Sequence, residues 1–146
     1  MVTQERLLSF GLVASMRCIF CGVAREDFDH LFFSCSFSEK IWFSLLHKCH
    51  LPLCTRDWAS TISWSFQFHG SHLRHLVVRL MLAAAVYFIW RERNARMHGR
   101  PSRDVGVVID DISFAICNRV NLLHNVDPLR INKELHQSWG FSDCIF

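Results

Sequence analysis

The chain has 146 residues, of which 51% are hydrophobic and 13% aromatic, so it can bury a core and is excluded from the disordered class. This length fits one domain, or one small metal-binding module joined to a helical segment. The net charge of +3 is too small to indicate a charged partner by itself. Because the seven cysteines form an odd set and no apolar signal core opens the chain, we expect reduced thiols in an intracellular setting, the nucleus or the cytoplasm.

The amino-terminal part of the chain predicts a short helix and then a metal-binding loop. Residues 3–10 have helix-forming character, and Gly11 follows where a left-handed cap ends a helix. The loop over residues 16–35 supplies three thiols and one imidazole, namely Cys18, Cys21, His30 and Cys35. Four soft ligands complete a closed tetrahedral site, so we expect a structural and not a catalytic zinc ion. The alternative, buried thiols in a small apolar core, stays open at this point.

Helical periodicity dominates the sequence after this loop. Ser36 and Glu39 match a capping box, and the apolar residues behind them predict a helix to about His47. Further patterns predict helices over 57–66, 71–98 and 102–125. Within the long helix, Leu80–Trp90 is apolar on all sides, but eleven residues are fewer than the roughly twenty that span a membrane. We therefore interpret this stretch as a buried core helix.

These elements predict a mostly α protein, with a small Cys3His zinc-knuckle loop followed by a bundle of about four helices. The zinc-binding module and its flanking helices occupy residues 1–48, and residues 49–70 form a connecting region. A two-helix segment, residues 71–126, is expected to pack on the module. We expect residues 127–146 to form an irregular tail.

The cysteine-rich loop carries a resemblance to a known family. The run CIFCGVAREDFDHLFFSC, followed by a helix containing Trp42, resembles the zinc-binding region at the carboxyl-terminal end of plant LINE-type (non-LTR) reverse transcriptases. Residues 5–12 resemble the lead-in helix of that family, and residues 89–96 resemble a Trp-rich and Arg-rich segment that often follows the module. The resemblance covers about residues 3–48 and 80–98. It implies zinc ligation by Cys18, Cys21, His30 and Cys35 and by nothing else.

The same resemblance implies that the catalytic part of a polymerase is not in this chain. A reverse transcriptase needs a palm domain with paired metal-binding aspartates, and 146 residues are too few to contain it. Asp110 and Asp111 lie on the polar side of a helical pattern, whereas polymerase carboxylates lie on a hairpin. We therefore expect no enzymatic activity, no small-molecule substrate and no membrane partner.

The distribution of charge indicates where nucleic acid could bind. Residues 17–40 contain three basic and four acidic side chains, and a zinc ion with three thiolates adds negative charge, so the loop is a poor phosphate binder. A better candidate is a basic segment at the end of the long helix, formed by Arg91, Arg93, Arg96, Arg100 and Arg103. Arg93, Arg96 and Arg100 recur at i, i+3 and i+7 and are predicted to share one face. Alternatively, these cations complement the helix dipole and keep an apolar helix soluble.

Two further groups of side chains are potential metal ligands. The first contains His47, Cys49, His50 and Cys54, which either bind a second metal ion or are core and loop residues beside the first site. The second is a histidine triplet with a spacing of three residues, His69, His72 and His75. No carboxylate lies near the triplet in the sequence, which favours solvated or capping histidines.

From these observations the sequence predicts a non-catalytic zinc-binding module derived from a retroelement reverse transcriptase. Implied by the resemblance, its role is to assist the binding of RNA or DNA. In that role zinc orders the loop, aromatic faces offer stacking to bases, and the arginine segment contacts phosphates. The alternative is a structural or protein-interaction module without nucleic-acid binding. In that case an apolar helix surface packs against a polymerase domain or another protein.

Overall fold

The computed structural model describes residues 10–11, 17–52, 57–70 and 72–146, and these residues form helices joined by short loops. In chain order they are a π-helix at His30–Ser34, α1 at Ser36–Lys48, α2 at Trp58–Ser65, α3 at Leu73–Met97, α4 at Val105–Val120, α5 at Arg130–Trp139 and a 3-10 helix at Asp143–Ile145. Within these ranges the β-structure consists of one isolated antiparallel bridge between Arg17 and Arg25. The prediction of a mostly α protein is confirmed.

Aspartate side chains define the starts of α2 and α4. The Asp57 carboxylate accepts a hydrogen bond from the Ser60 N–H at 2.8 Å. The Asp104 carboxylate accepts one from the Gly106 N–H, also at 2.8 Å. Both bonds satisfy backbone donors that have no partner inside the helix. Helix α2 therefore begins within the predicted 57–66, whereas α4 begins after residue 102 because Asp104 supplies the cap.

The start of α1 differs from the predicted capping box. The N-cap residue is Cys35 and not Ser36, and the Cys35 side chain makes no capping hydrogen bond. The Cys35 carbonyl instead accepts the Glu39 N–H at 2.8 Å. The cause is the preceding π-helix, since the chain leaves it at Cys35 in an extended conformation and enters α1 at once.

Helix α3 is the central element of the fold. It packs against α1, α2, α4 and α5, and α1 also packs against α4 and α5. The residues of α3 that these contacts bury include Val77, Met81, Ala85 and Ile89, which recur every four positions. This spacing places them on one face of a helix. The α1 face toward them contributes fully buried large side chains, including Trp42.

By length and composition, α3 is the one helix within the described ranges that could cross a membrane, and 39% of its most apolar window is buried in the fold. Core helices of water-soluble proteins pass the same test. At its carboxyl-terminal end, Glu92 is fully buried and Arg93 is 3% exposed. Because α3 packs against four other helices, we interpret it as a core helix. The expectation of a fully buried stretch at residues 80–90 is corrected, since only the face of Met81, Ala85 and Ile89 is buried there.

The carboxyl-terminal segment, residues 127–146, was predicted to be an irregular tail, but it contains the helix α5. Helix α5 buries Asn132, Leu135 and Trp139, a stripe at i, i+3 and i+7. It ends at Gly140, which has a left-handed φ of +70°. The helix is short and largely polar, so most of its stabilisation comes from packing that the local sequence does not reveal. Residues 3–9 of the predicted helix over 3–10 lie outside the described residues. Gly11 has the predicted left-handed conformation, with φ +69°.

We predict that Ile112→Ala in α4 lowers the free energy of unfolding by about 3 kcal/mol, since Ile112 is fully buried and truncation leaves a cavity. Phe114→Ala, two positions along the same helix, is the control because Phe114 is 69% exposed. Urea denaturation of both variants measures the difference. Equal destabilisation would contradict the packing of α4 on α1 and α3.

Candidate metal centre and its anchors

The loop that carries the first two thiols, part of what we call the knuckle (residues 17–35), is closed by its own backbone. The Cys18 N–H donates to the Ala24 carbonyl, and the Gly22 N–H donates to the Cys18 carbonyl, both at 2.8 Å. Gly22 has a φ of +69°, a left-handed conformation that glycine adopts without a steric penalty. This reversal of the chain brings Cys21 back toward Cys18.

The third and fourth candidate ligands stand at the two ends of the π-helix. The Cys35 N–H donates to the His30 carbonyl at 2.7 Å, the i to i+5 bond that defines this helix type. At the other end, the Asp27 carboxylate accepts the His30 N–H at 2.7 Å. Leu31, Phe32 and Phe33 between them are buried and hold the π-helix against the core.

The four predicted ligands meet at one point. Their ligand atoms all lie within 4.8 Å of one another. The Sγ atoms of Cys18 and Cys35 are 3.8 Å apart, and the Cys21 Sγ is 3.3 Å from the His30 Nε2. A tetrahedral zinc site with bonds of about 2.3 Å to sulfur and 2.0 Å to nitrogen has edges of about 3.8 and 3.5 Å. The two named separations lie close to these edges.

The surroundings of the sulfurs also suit a metal ion. Cys18 is 1% exposed and Cys35 fully buried, whereas Cys21 and His30 are half-buried. The hydrogen bond between the two buried sulfurs, together with burial, raises the pKa of the Cys18 thiol, and the same bond lowers the pKa of Cys35. A divalent cation stabilises both sulfurs as thiolates. The cluster can therefore hold a metal ion, with all four donors supplied by the chain.

A buried carboxylate fastens the knuckle to α3. Glu26 is fully buried, and one of its oxygens accepts two hydrogen bonds from the Arg93 guanidinium, at 2.8 and 3.1 Å. Its other oxygen is 3.4 Å from the Ile19 N–H, inside the Cys18–Cys21 turn. Arg93 also lies over the Trp90 ring at 5.0 Å. One ion pair thus links the metal-binding turn to the centre of the fold.

Aromatic contacts form a second link between the knuckle and α3. Phe20, between the first two cysteines, stacks on Phe37 of α1 with ring centroids 4.4 Å apart. The Arg96 guanidinium lies over both rings, 4.9 Å from Phe20 and 4.6 Å from Phe37. Cation–π contacts of this kind contribute more when they are shielded from water. The ring of Phe20 is therefore half-buried and packed between α1 and α3.

A second buried carboxylate, Glu92, organises the end of α3. It is fully buried and accepts hydrogen bonds from Arg96 at 2.8 Å and from the Arg103 side chain at 2.7 Å and backbone N–H at 3.0 Å. Arg103 also pairs with Asp111 at 2.6 Å. Burial alone would raise the pKa of Glu92, but the hydrogen bonds from both arginines outweigh it and hold the pKa below its ordinary value. This network ties α3 to α4.

These contacts correct the predicted basic face. Arg93, Arg96 and Arg103 form ion pairs inside the protein, with side chains 4%, 12% and 29% exposed. The predicted arrangement of Arg93, Arg96 and Arg100 along one phosphate-facing surface is wrong, because two of the three point into the fold. Arg91 and Arg100 are exposed.

Neither Glu26 nor Glu92 was singled out from the sequence as an important residue. For Glu92 the sequence did contain one indication of a role, since it is a single acid among five arginines at the end of an apolar helix. Glu26 gave no comparable signal, because its partner Arg93 is 67 residues away in the chain.

The other ligand-type clusters do not assemble in the described part of the chain, where the Cys3His group is the one set that could hold a metal ion. The Cys49 Sγ contacts the Met81 sulfur at 3.6 Å, and the His50 Nε2 lies 2.8 Å from the Ser138 hydroxyl. Cys54 lies outside the described residues. In the histidine triplet, the His75 Nδ1 lies 2.6 Å from the His69 carbonyl oxygen, a local contact and not a metal site.

We predict that Arg93→Met lowers the free energy of unfolding by about 3–5 kcal/mol, because it leaves the Glu26 carboxylate buried without its guanidinium. In the double variant Glu26→Gln/Arg93→Met, the loss should be smaller than the sum of the two single losses. The control is Arg130→Met, which removes one member of a pair on an arginine side chain that is 93% exposed and should have no measurable effect. Additive losses in the double variant would refute the coupling.

We predict an acid-sensitive contribution from Glu92. Since its folded-state pKa lies below the ordinary value of 4.5, the stabilisation is complete above pH 4.5 and is lost as the pH falls through the folded-state pKa. Glu92→Gln should lower stability at neutral pH by on the order of 3 kcal/mol and flatten the pH dependence below 4.5. Denaturation curves between pH 3 and pH 7 measure both effects. An unchanged pH profile in the variant would contradict this assignment.

Comparison with known proteins places the amino-terminal part of the chain beside a described family. No curated protein and no solved structure matches the chain significantly. Residues 1–42 match the family described as zinc-binding in reverse transcriptase, and this segment contains all four residues of the cluster. The family is defined by zinc binding and not by a catalytic domain. The resemblance of the amino-terminal segment to the zinc-binding region of reverse transcriptases is thereby confirmed, whereas its plant and LINE-type origin stays a prediction.

Proposed function

We propose that Cys18, Cys21, His30 and Cys35 bind one structural zinc ion in a non-catalytic module. The observation that carries this proposal is the meeting of four ligand atoms within 4.8 Å. The donor set supports zinc over harder cations, because calcium and magnesium prefer oxygen ligands. Four protein ligands leave no position for a substrate or an activated water, which supports a structural role.

Zinc at this position would join the two parts of the knuckle that carry the ligands. It would tie the turn of Cys18 and Cys21 to the π-helix that ends at Cys35. Structural zinc sites contribute on the order of 10 kcal/mol to folding at neutral pH. The ordered turn then presents Ile19 to Glu26 and Phe20 to Arg96, the contacts that fasten the knuckle to α3.

We further propose that the module assists RNA or DNA binding and that the contact is made beside the knuckle and not by it. Residues 17–40 carry more acidic than basic side chains, and Phe20 is packed against Phe37 and Arg96. The exposed cation Arg91 lies in the last two turns of α3, and the exposed cation Arg100 lies just beyond the end of that helix. The family match supports the zinc part of this proposal, and Arg91 and Arg100 lie outside the matched residues 1–42.

A second candidate function is docking to another protein, such as a polymerase domain. Several large apolar side chains are exposed, among them Phe43 at 59%, Phe66 at 73% and Phe114 at 69%. Phe43 lies on α1, Phe66 at the end of α2 and Phe114 on α4. Self-association that detergent reverses, without any nucleic-acid binding, would favour this function over the first.

We predict one equivalent of zinc per chain in purified protein. Cys18→Ser/Cys21→Ser should lose the metal and the cooperative unfolding transition, because half of the ligand set is removed. Cys144→Ser is the matched control, since Cys144 is exposed and outside the cluster. Elemental analysis and thermal denaturation measure the outcome. A folded native protein that holds no zinc, even after zinc is added, would refute the proposal.

A further inference from the structure

A groove lies beside the carboxyl-terminal end of α3. It has a volume of about 700 Å³ and runs between the last turns of the helix and the segment 98–103. Its walls include Tyr87, Trp90, Arg91, His98 and Arg100. This volume falls within the range of sites that enclose a small molecule or one part of a larger one. The metal centre contributes none of the lining residues.

One wall of the groove is a continuous stripe of α3. Tyr87, Arg91, Asn94 and His98 follow one another at i, i+4, i+7 and i+11, so they share one side of the helix. Tyr87 is 59% exposed although it is aromatic. Its ring meets Phe88 edge-on, with centroids 5.1 Å apart and planes at 87°. The stripe therefore places an accessible aromatic ring one turn away from a cation.

The charge of the groove is positive despite the acid in its wall. The lining contains Glu92 and three arginines, Arg91, Arg100 and Arg103. The Glu92 carboxylate already accepts hydrogen bonds from Arg96 and Arg103. Glu92 therefore does not neutralise Arg91 or Arg100, which line the groove from α3 and from the segment 98–103.

We propose that this groove binds a single-stranded nucleic acid, with an unpaired base stacked on Tyr87 and the flanking phosphates at Arg91 and Arg100. The combination of an exposed aromatic ring with cations is what single-strand binding sites use. In a duplex the bases are stacked on one another and cannot stack on Tyr87, so only its phosphates would contact the arginines. This inference rests on the proposed nucleic-acid role and assigns it to a site that does not involve the knuckle.

The test measures the affinity of the zinc-loaded full chain for fluorescent oligo(U), oligo(dT) and an RNA duplex by anisotropy. Tyr87→Ala should weaken single-strand binding about tenfold and leave duplex binding within twofold. Arg91→Glu should weaken binding to every ligand and reduce the dependence on salt concentration. Phe114→Ala and Arg119→Glu are the matched controls, because both residues are exposed on α4 and neither lines the groove.

The outcomes separate this inference from the proposed function. Native protein that binds no oligonucleotide at low salt overturns both. Binding that the groove variants and the α4 controls reduce equally overturns the groove alone and leaves a nucleic-acid role elsewhere. A Tyr87→Ala variant that loses duplex and single-strand affinity alike overturns base stacking. Selective loss of single-strand affinity supports the groove, and the tighter of oligo(U) and oligo(dT) identifies its ligand as RNA or DNA.

Discussion

The fold depends on two carboxylates that are buried among arginines, Glu26 and Glu92. A carboxylate taken out of water without a partner costs several kcal/mol, so each of them demands a guanidinium in one position. Arg93 donates hydrogen bonds to Glu26, and Arg96 and Arg103 donate hydrogen bonds to Glu92. These ion pairs restrict how the knuckle, α3 and α4 can be arranged. In any other arrangement a charge would be exposed to water or buried without a partner.

Zinc and arginine have complementary tasks in this arrangement. The metal ligands lie within eighteen positions of one another and would order a local loop, Cys18 to Cys35. The ion pair of Glu26 with Arg93 spans 67 residues and joins that loop to the helical core. Neither interaction replaces the other, since an ordered loop needs a docking point and a docking point needs an ordered loop. The knuckle and the helices are therefore expected to fold as one unit.

The sequence was sufficient for features that depend on local spacing. The ligand set followed from the positions of Cys18, Cys21, His30 and Cys35, and α1 and α3 followed from helical periodicity. The sequence was insufficient where a residue far away in the chain determines the orientation of a side chain or the formation of a helix. Helical spacing put Arg93, Arg96 and Arg100 on one face, but it could not reveal that Glu26 would pack against that face. Helix α5 was missed for a related reason, because its polar sequence becomes helical through burial of Leu135 and Trp139 against the rest of the fold.

The π-helix has a consequence for how this site can vary between related sequences. In an α-helix, two residues five positions apart differ in direction by about 140°, so His30 and Cys35 would diverge. The wider π turn brings them to the same side. A relative with one residue fewer between the histidine and the last cysteine could reach the same geometry with an ordinary α turn. Such a one-residue gap in an alignment would then mark a change of helix type and not the loss of the metal site.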